Sequence, residues 1–221
     1  MKKIVLFGSG DNSNVVLDII NEIKGYKIIG IVDKKKNISY KKNKLNYLGD
    51  IKYFFKNYNK SQKNLEGIIT VGFNFSRKKI AQEINKINPN FKWSILTHPS
   101  CIISKLSKIS EGTVIVAGTI INNHSFIGKH CLINTGSLID HDNKFNNYSS
   151  CGPGVITGGN VKVGECSHIG IGSTIKHGIQ IGQNTLVGGH SFVNKNCKNN
   201  SVYYGIPIKK IKKIKKDINY F

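Results

Sequence analysis

The chain has 221 residues, 39% of them hydrophobic, which is enough for one large domain or two small ones with real cores. Its formal net charge is +21, yet Arg77 is the only arginine among the 33 basic residues. Because proteins that read bases and phosphates rely on the planar arginine fork, the lysines are expected on solvated surfaces and nucleic acid is not expected as a partner.

Two further features narrow the class of protein. The apolar run Ile4 to Phe7 near the N-terminus is too short for a signal sequence or a membrane span, so we expect a cytoplasmic protein without membrane insertion. The five cysteines form no C-x-x-C pair, which argues against a zinc site or a disulfide framework and favours small buried fillers.

The first hundred residues alternate strand-like and helix-like segments. The predicted elements, in chain order, are a strand over 4–7, a helix ending at 23, a strand over 26–32, a helix over 51–58, a strand over 67–71, a helix over 76–87 and a strand over 92–96. The N-cap candidates are Asn12 or Ser13 for the first helix and Asp50 for the second. Alternating βα units predict an α/β, Rossmann-like domain over residues 1–97, with an open parallel sheet.

From Ile103 onwards the pattern changes to a period of six. Every sixth residue from Ile103 to Val193 is large and apolar at fourteen of sixteen positions. The next position is often glycine, and the position four beyond the apolar residue is often serine or threonine. A parallel β-helix explains this period, because each short strand places one bulky residue inward and each corner needs a small residue. Three such hexads make one triangular coil, so the sequence predicts roughly five coils.

The order of motifs along the chain resembles one family. Hexads such as Ile169-Gly170-Ile171-Gly172-Ser173-Thr174 resemble the left-handed β-helix of hexapeptide-repeat acyltransferases. The marks of the narrower group are an N-terminal Gly-x-Gly turn, Thr97-His98-Pro99-Ser100, Asn134-Thr135-Gly136, Asp140-His141-Asp142, Pro153-Gly154, Gly158-Gly159 and Gly205-Ile206-Pro207. Together they resemble the sugar acetyltransferases of the sialic acid O-acetyltransferase and bacillosamine or perosamine N-acetyltransferase group.

This resemblance implies an assembly and a set of ligands. Members of the group are homotrimers with active sites between neighbouring β-helices. Acetyl-CoA, the co-substrate, lies along the groove, and the N-terminal domain holds the sugar; no metal is implied. The resemblance also divides the chain into a β-helix acyltransferase domain over 98–198 and a tail over 199–221. In the tail, apolar residues every three positions among the lysines of 209–216 predict a basic amphipathic helix.

Acetyl transfer needs a base for the nucleophile and a hydrogen-bond donor for the developing oxyanion. His141 is the best candidate base, because imidazole titrates near neutral pH and a neighbouring carboxylate can fix its tautomer. By resemblance, Asp142 is its partner, the Gly159 amide faces the thioester oxygen, and Asn134 lies near the acceptor sugar. The alternative is that His141 is only a solvated corner residue. The remaining hexad histidines (His124, His130, His168, His177 and His190) are expected to be surface or corner residues.

The chain departs from the family pattern at two places. Ser150 stands where the family has a second histidine close to the acyl donor; its hydroxyl can hydrogen-bond to a pantetheine amide but cannot share proton transfer. In the first turn, Asp11 and Asn12 replace a glycine and a histidine, and Asp11 would repel a pyrophosphate.

The first turn leaves a choice of nucleotide. Gly8 and Gly10 match part of the dinucleotide fingerprint, with Asp33 at the distance of a ribose partner. The third glycine is missing and the unit is short, so NAD is disfavoured. We expect Gly8, Gly10, Asn12 and Asp33 to hold the sugar's nucleoside.

Three functions remain open from the sequence. The leading one is acetyl-CoA-dependent N-acetylation of a nucleotide-linked amino sugar in surface glycan biosynthesis. The second is O-acetylation of sialic acid or a related sugar, which would fit the poor phosphate turn. The third is a non-catalytic trimeric binding or scaffold protein.

Overall fold

The computed structural model describes residues 1–34, 45–58 and 64–214. The N-terminal part is a parallel sheet of four strands in the order β2-β1-β3-β4, with helices connecting them. Its elements are β1 Lys2–Phe7, α1 Asn12–Glu22, β2 Tyr26–Val32, α2 Ile51–Asn57, β3 Leu65–Ile69, α3 Asn74–Ile87 and β4 Lys92–Trp93. The alternation of β and α elements in the sequence therefore predicted this domain correctly.

The helix caps agree only in part with the predictions. Asp50 caps α2 as predicted, accepting a hydrogen bond of 2.8 Å from the Tyr53 amide. The prediction of Asn12 or Ser13 as the cap of α1 was wrong, since the cap position is Asp11 and its side chain makes no capping bond. Ser13 is instead buried on the inner face of this helix.

The strand predicted over 92–96 is divided between two sheets. The Ser94 amide donates to Gly67 O of the domain sheet, whereas the Leu96 amide donates to Thr113 O of the next sheet. Strand β5, Leu96–Thr97, thus pairs with the β-helix, and the chain crosses from one domain to the other within Ser94 and Ile95.

From β5 onwards the chain winds as a left-handed parallel β-helix with three faces. Face 1 comprises β5, β8 Val114–Ile115, β11 Leu132–Ile133, β14 Ser150–Cys151, β17 His168–Ile169, β20 Leu186–Val187, β22 Ser201–Tyr204 and β23 Lys209–Lys213. Face 2 comprises β6 Ile102–Ile103, β9 Ile120–Ile121, β12 Leu138–Ile139, β15 Ile156–Thr157, β18 Thr174–Ile175 and β21 Phe192–Val193. Face 3 comprises β7 Lys108–Ile109, β10 Phe126–Ile127, β13 Lys144–Phe145, β16 Lys162–Val163 and β19 Gln180–Ile181.

The period of six is the register of this β-helix. The second residue of each two-residue strand from β6 to β21 is a residue of the predicted series, and those from Ile115 to Val193 are buried. Most of them form one continuous core along the axis. Equivalent residues in successive coils are 18 positions apart, as Ile133 and Cys151 are. The predicted β-helix is confirmed.

The corners explain the small residues. Gly152 and Gly164 follow inward residues, and a Cβ atom at Gly152 would lie 2.7 Å from the Ile171 amide nitrogen of the next coil. Most of the predicted serines and threonines turn their hydroxyls to the carbonyls of the next coil, as Ser125 does to Asp140 O at 2.8 Å. Three of the cysteines, Cys131, Cys151 and Cys197, are buried as predicted.

The predicted helix in the lysine tail was wrong for its described part. Lys209–Lys213 is a strand that pairs antiparallel with Ser201–Tyr204, which itself continues face 1. Lysines three and four apart repel each other on a helix, whereas the open edge of the last strand offers unpaired backbone groups to an extended segment. Residues 215–221 of the predicted tail lie outside the described residues.

The N-terminal domain is docked on face 1. Val114 and Leu132, outward residues of this face, are buried against Ile4 and Leu6 of β1 and Val16 of α1. The burial of apolar surface stabilises such a contact by about 25 cal/mol for each Å² removed from water. The domain and the β-helix thus share one of the three hydrophobic clusters of the described chain.

The sole arginine joins the two domains. Arg77, on α3, is 3% exposed, and its guanidinium donates to Gly72 O at 2.5 Å within its own domain. Across the junction it donates to His130 O at 3.0 Å and to Tyr148 O at 3.3 Å. A planar guanidinium has N–H donors spread over three nitrogens, so it can bind several carbonyls that lie in different directions. The single ammonium nitrogen of a lysine could not reach all of them.

Candidate active site

Residues 140–143, Asp-His-Asp-Asn, form the corner between face 2 and face 3. Nδ1 of His141 lies 2.7 Å from Oδ2 of Asp142, with the two side chains 43% and 46% exposed. Because a carboxylate can only accept, Nδ1 carries the proton and Nε2 is left as the basic nitrogen. The hydrogen bond that His141 donates to Asp142 raises the pKa of His141 above its ordinary 6.5, and the nearby charge of Asp140 acts in the same sense.

The corner itself holds this pair in place. Asp142 has φ +57, the left-handed conformation that asparagine and aspartate tolerate well. The His141 amide donates to Asp140 Oδ1 at 2.8 Å, and the buried Asn143 amide group donates to His141 O at 3.1 Å. The imidazole is therefore exposed on a corner whose backbone is fixed from both sides.

Gly159 lies directly beneath the imidazole in the next coil. A Cβ atom at this position would overlap Cε1 of His141 and would lie 2.5 Å from its Nε2. One coil further on, the ring of His177 is 6.2 Å from that of His141. The structure thus brings together three predicted residues, His141, Asp142 and Gly159, and adds His177 as a neighbour.

Asn134 and Ser150 lie elsewhere: Asn134 is at the corner between face 1 and face 2, and Ser150 is on strand β14 of face 1. They line a cavity of about 260 Å³ that runs along the coils beside the N-terminal domain. Its other walls are formed by Gly72, Leu132, Cys151, Gly152, Pro153, His168, Gly170, Ile171, Leu186, Val187, Gly188, Gly189 and Tyr204. We call this cavity the corner groove. Strand β12 of face 2 separates the Asn134 corner from the His141 corner within one chain.

Ser150 does not present a free hydroxyl to the corner groove. Its Oγ is 2.8 Å from Oδ1 of Asn74 and 2.8 Å from Nδ1 of His168, the outward residue of the next coil. Burial, and then the charge of Arg77, lowers the pKa of His168 to about 4. His168 was predicted to be a surface or corner residue; it lies instead on a strand and packs against Ser150.

His130 also differs from the prediction. It is a corner residue with φ +53, but it is only 2% exposed. Its ring stacks on Tyr148 with centroids 5.3 Å apart and meets Trp93 edge-on at 4.8 Å. Burial, and then the charge of Arg77, lowers the pKa of His130 to about 3.

The N-terminal domain has its own cleft, of about 310 Å³, at the carboxyl ends of β1 and β2. Gly8 and Asp33 line it, as do Lys34 and Lys79. Oδ2 of Asp33 accepts from the Ser9 amide at 2.7 Å and from the Ser9 hydroxyl at 2.6 Å, which ties the first turn to the end of β2.

The other two predicted residues of this turn lie beside the cleft. Gly10 is exposed and Asn12 is half-buried, and neither lines the cleft wall. The predicted substrate residues are therefore divided between this cleft and the corner groove.

Within residues 1–34, 45–58 and 64–214, no three histidine, cysteine, aspartate or glutamate side chains gather as metal ligands would. In the same ranges, no helix has both the length and the apolar character needed to cross a membrane.

Comparison with known proteins adds to this geometry. Residues 3–84 match the family described as PglD N-terminal domain. A stretch of 117 residues is 32% identical to UDP-N-acetylbacillosamine N-acetyltransferase of Bacillus subtilis (strain 168), covering 53% of this chain and 52% of that protein. The match thus spans about half the length of this curated relative.

Two solved structures extend the likeness to almost the whole chain. A histidine-to-alanine mutant of GDP-perosamine N-acetyltransferase from Caulobacter crescentus, in complex with CoA and GDP-perosamine, matches with a TM-score of 0.87 at 25% identity, over 96% of this chain and 98% of that one. The chain is thus similar over almost its whole length to a sugar N-acetyltransferase, and its residues 3–84 match the PglD N-terminal domain. The acetyltransferase domain of PglB from Neisseria gonorrhoeae FA1090, in complex with acetyl coenzyme A, has the same fold, with a TM-score of 0.86 at 23% identity over 95% of this chain and 99% of that domain.

No local sequence pattern predicted the three residues that organise the corner groove. Asn74, Arg77 and His168 come together across the junction, and Asn74 is 76 positions from Ser150. The one available signal was the 18-residue repeat, which places His168 directly beside Ser150 on face 1.

Proposed function

We propose that this protein transfers the acetyl group of acetyl-CoA to the amino group of a nucleotide-linked amino sugar in surface glycan biosynthesis. The observation that carries the proposal is the His141–Asp142 pair held over Gly159 on the β-helix corner. The whole-chain likeness to an N-acetyltransferase in complex with CoA and GDP-perosamine supports it.

In this proposal, His141 is the general base. Its Nε2 takes a proton from the sugar amine as the nitrogen attacks the acetyl carbon, and the C–S bond breaks to give the amide and the thiol of CoA. The proton then passes to the sulfur leaving group. Asp142 accepts from Nδ1–H throughout, so it holds the ring's tautomer and stabilises the imidazolium.

Gly159 would contribute its backbone amide. For the described residues, no protein acceptor of the Gly159 N–H is found, and the residue lies against the basic nitrogen of His141. A backbone donor in this position suits a carbonyl oxygen that gains negative charge. Only glycine leaves room for both the imidazole and a ligand at this point of the coil.

The corner groove fits the acyl donor. Its wall is formed by residues of successive coils, including Gly152, Gly170 and Gly188. Coils are spaced about 4.8 Å apart, so these glycines form a narrow track of about 10 Å. Acetyl-CoA supplies the activated acetyl group, and its extended pantetheine arm suits such a track. Tyr204, at one end, pairs with Lys209 of the lysine-rich strand β23, where cations would favour the phosphates of CoA.

The cleft of the N-terminal domain would hold the nucleotide of the sugar. Lys34 and Lys79 line this cleft and would offset the charge of Asp11 near the phosphates. The Asp33 carboxylate already binds the Ser9 turn, so we propose that it shapes the turn as well as meeting the nucleoside. Gly8 and Gly10 would let the ligand approach the backbone, with Asn12 at the helix start. Asn134 would lie near the sugar.

We propose a homotrimer, because the site is incomplete in one chain. His141 and Asn134 occupy opposite edges of face 2, and all the outward residues of this face except Thr174 are apolar. Ile102, Leu138, Ile156 and Phe192 are 66%, 39%, 43% and 37% exposed. Packing face 2 against a second copy would bury this stripe and could bring the His141 corner of one chain to the corner groove of another. A cytoplasmic location remains part of the proposal.

O-acetylation of sialic acid or a related sugar is the second candidate, and Asp11 in the first turn is the observation that favours it. A carboxylate beside the helix N-terminus competes with a pyrophosphate for the same amides. The third candidate is a scaffold protein without catalysis. It would leave the exposed His141, held by Asp142 over Gly159, without a role.

The test is thiol release from acetyl-CoA by the purified protein, measured with UDP-, GDP- and dTDP-linked 4-amino sugars and separately with sialic acid. We expect release with an amino sugar, and a fall of about 100-fold in kcat for His141→Ala, at the low end for a general base because an amine needs little help. His177→Ala is the matched control and should keep most of its activity. Release with sialic acid alone would establish O-acetylation, and silence with no CoA binding would leave the scaffold.

A further inference from the structure

We infer that His168 is a specificity-determining residue of the corner groove, whose Nε2 accepts a hydrogen bond from an amide N–H of the acyl donor's pantetheine arm. The inference rests on the proposed function, which places acetyl-CoA in this groove. It is carried by the directions of a chain of hydrogen bonds that begins at Arg77 and ends at the imidazole.

The first link fixes the orientation of Asn74. Its Nδ2 lies 3.0 Å from Ser167 O and 3.3 Å from Cys166 O, and its Oδ1 lies 2.5 Å from Nη2 of Arg77. Carbonyl oxygens only accept and a guanidinium only donates, so the amide cannot be reversed. Oδ1 of Asn74 is therefore an acceptor on the side of Ser150.

The second link fixes the proton of Ser150. Its Oγ is 2.8 Å from Oδ1 of Asn74, an atom without a hydrogen, so the single hydroxyl proton points to Asn74. Towards His168 the same Oγ can then only accept. Nδ1 of His168, at 2.8 Å, must supply the proton of that bond.

The third link concerns the other ring nitrogen. With Nδ1 protonated in a neutral imidazole, Nε2 has a lone pair and is an acceptor. A pKa of about 4 keeps the ring neutral at physiological pH, since burial and the charge of Arg77 disfavour the imidazolium. His168 lines the corner groove between Ser150 and Leu186, where the track of glycines offers few side-chain acceptors. A ligand with amide N–H groups matches this acceptor, and a bare hydrocarbon chain does not.

The first experiment measures CoA binding by calorimetry. His168→Asn keeps a donor near Ser150 but loses the acceptor, whereas His168→Gln restores an acceptor near the Nε2 position. We expect the Kd for CoA to rise about tenfold in His168→Asn, the size of one neutral hydrogen bond, and by less in His168→Gln. Unchanged thermal unfolding and an unchanged Kd for the nucleotide sugar would exclude a folding defect.

The matched ligands are CoA analogues in which one or the other pantetheine N–H is replaced by CH₂. One of them should bind wild type about tenfold more weakly than CoA does, yet should bind His168→Asn as well as CoA does. The inference would be overturned if both analogues bound His168→Asn more weakly than CoA does, so that the losses caused by the variant and by the analogue multiplied. It would also be overturned if His168→Asn left the Kd for CoA unchanged. Either result would leave the proposed function intact. If His168→Asn weakens the binding of the nucleotide sugar alone, the corner groove holds the sugar and not the acyl donor, and the inference is wrong.

The relay has a spectroscopic readout of its own. ¹⁵N NMR of the histidines should find Nδ1 of His168 protonated and Nε2 unprotonated in wild type, and a mixture of tautomers in Ser150→Ala. Protonated Nε2 in wild type would refute the inference even if CoA is bound and turned over. A wild-type protein that binds no CoA would instead refute the proposed function, and the inference with it.

Discussion

The Nδ1 atom of His141 donates to Oδ2 of Asp142 over 2.7 Å, and the same corner that exposes the ring also supplies this carboxylate. The left-handed backbone of Asp142, with φ +57, is a position that every coil needs in order to turn. A structural requirement of the β-helix therefore coincides with the partner that a histidine base requires.

The first prediction concerns pH. Asp142 raises the pKa of His141, so the basic form of wild type is lost as pH falls through a value above 6.5. Asp142→Asn keeps the left-handed corner but removes the charge, and we expect the acid limb of kcat/KM to move to lower pH while the plateau falls. Asp140→Asn is the control and should move the limb less, because Asp140 makes no hydrogen bond to the imidazole and raises its pKa only through its charge. An acid limb that stays in place in Asp142→Asn would mean that another group is titrating.

The second prediction concerns Gly159. Gly159→Ala places a methyl group against Cε1 and Nε2 of His141, so the imidazole must leave its position. We expect a loss of kcat of about 100-fold or more, comparable to removing the base, with little change in thermal stability.

Gly178→Ala is the control for Gly159→Ala, at the same corner one coil later. Gly178 has φ +75, and no heavy atom lies within 4 Å of its virtual Cβ. This variant should lose about 1 kcal/mol of stability through its left-handed backbone, yet keep its activity. Equal activity in Gly159→Ala and wild type would contradict the position assigned to the imidazole.

The third prediction concerns face 2. Leu138→Glu puts a charge into the apolar stripe, and we expect sedimentation to find single chains where wild type sediments with the mass of three. Activity should fall with the dissociation, because His141 would lose the partner's groove. Lys162→Glu on face 3 changes charge at an outward position and should leave the trimer intact. A wild-type protein that sediments as one chain and is fully active would disprove the shared site.

The fourth prediction concerns acid stability. The unfolded chain protonates His130 near pH 6.5, but the folded chain does so only near pH 3, so stability falls as pH drops between those values. From 1.36 kcal/mol per pKa unit, this one residue should cost about 2 kcal/mol between pH 7 and pH 5. His130→Asn, which suits the left-handed backbone, should be less stable at pH 7 but should lose less on acidification. Urea unfolding at both pH values measures this, and parallel losses in the two proteins would rule His130 out.

The sequence was most informative where structure repeats. Each hexad carries its own inward residue and corner, so the register from Ile103 to Val193 could be predicted without knowing any distant contact. The geometry of the His141 corner is local as well, because the proposed base, its carboxylate neighbour and the turn lie within one coil and Gly159 is 18 residues on.

Contacts between distant segments could not be predicted. The bonds of Asn74 and Arg77 to the β-helix join residues between 53 and 93 positions apart, and no periodicity encodes them. The helix predicted in the lysine tail was wrong for a related reason. Its spacing suits a helix, but Lys209–Lys213 instead pairs as a strand with the free edge of Ser201–Tyr204. Local sequence patterns predict which helices and strands are possible, whereas contacts with distant parts of the fold decide which of them forms.

The period of six residues limits how the length of the β-helix can change. Substitutions at the outward positions of the β-helix can be absorbed one at a time, but the loss of a single residue would turn every later strand inside out until the count is restored. Only the gain or loss of 18 residues, one whole turn of the prism, would keep both the stacking and the three faces. Growth and shrinkage of this domain are therefore restricted to whole turns, apart from loops that bulge from its corners.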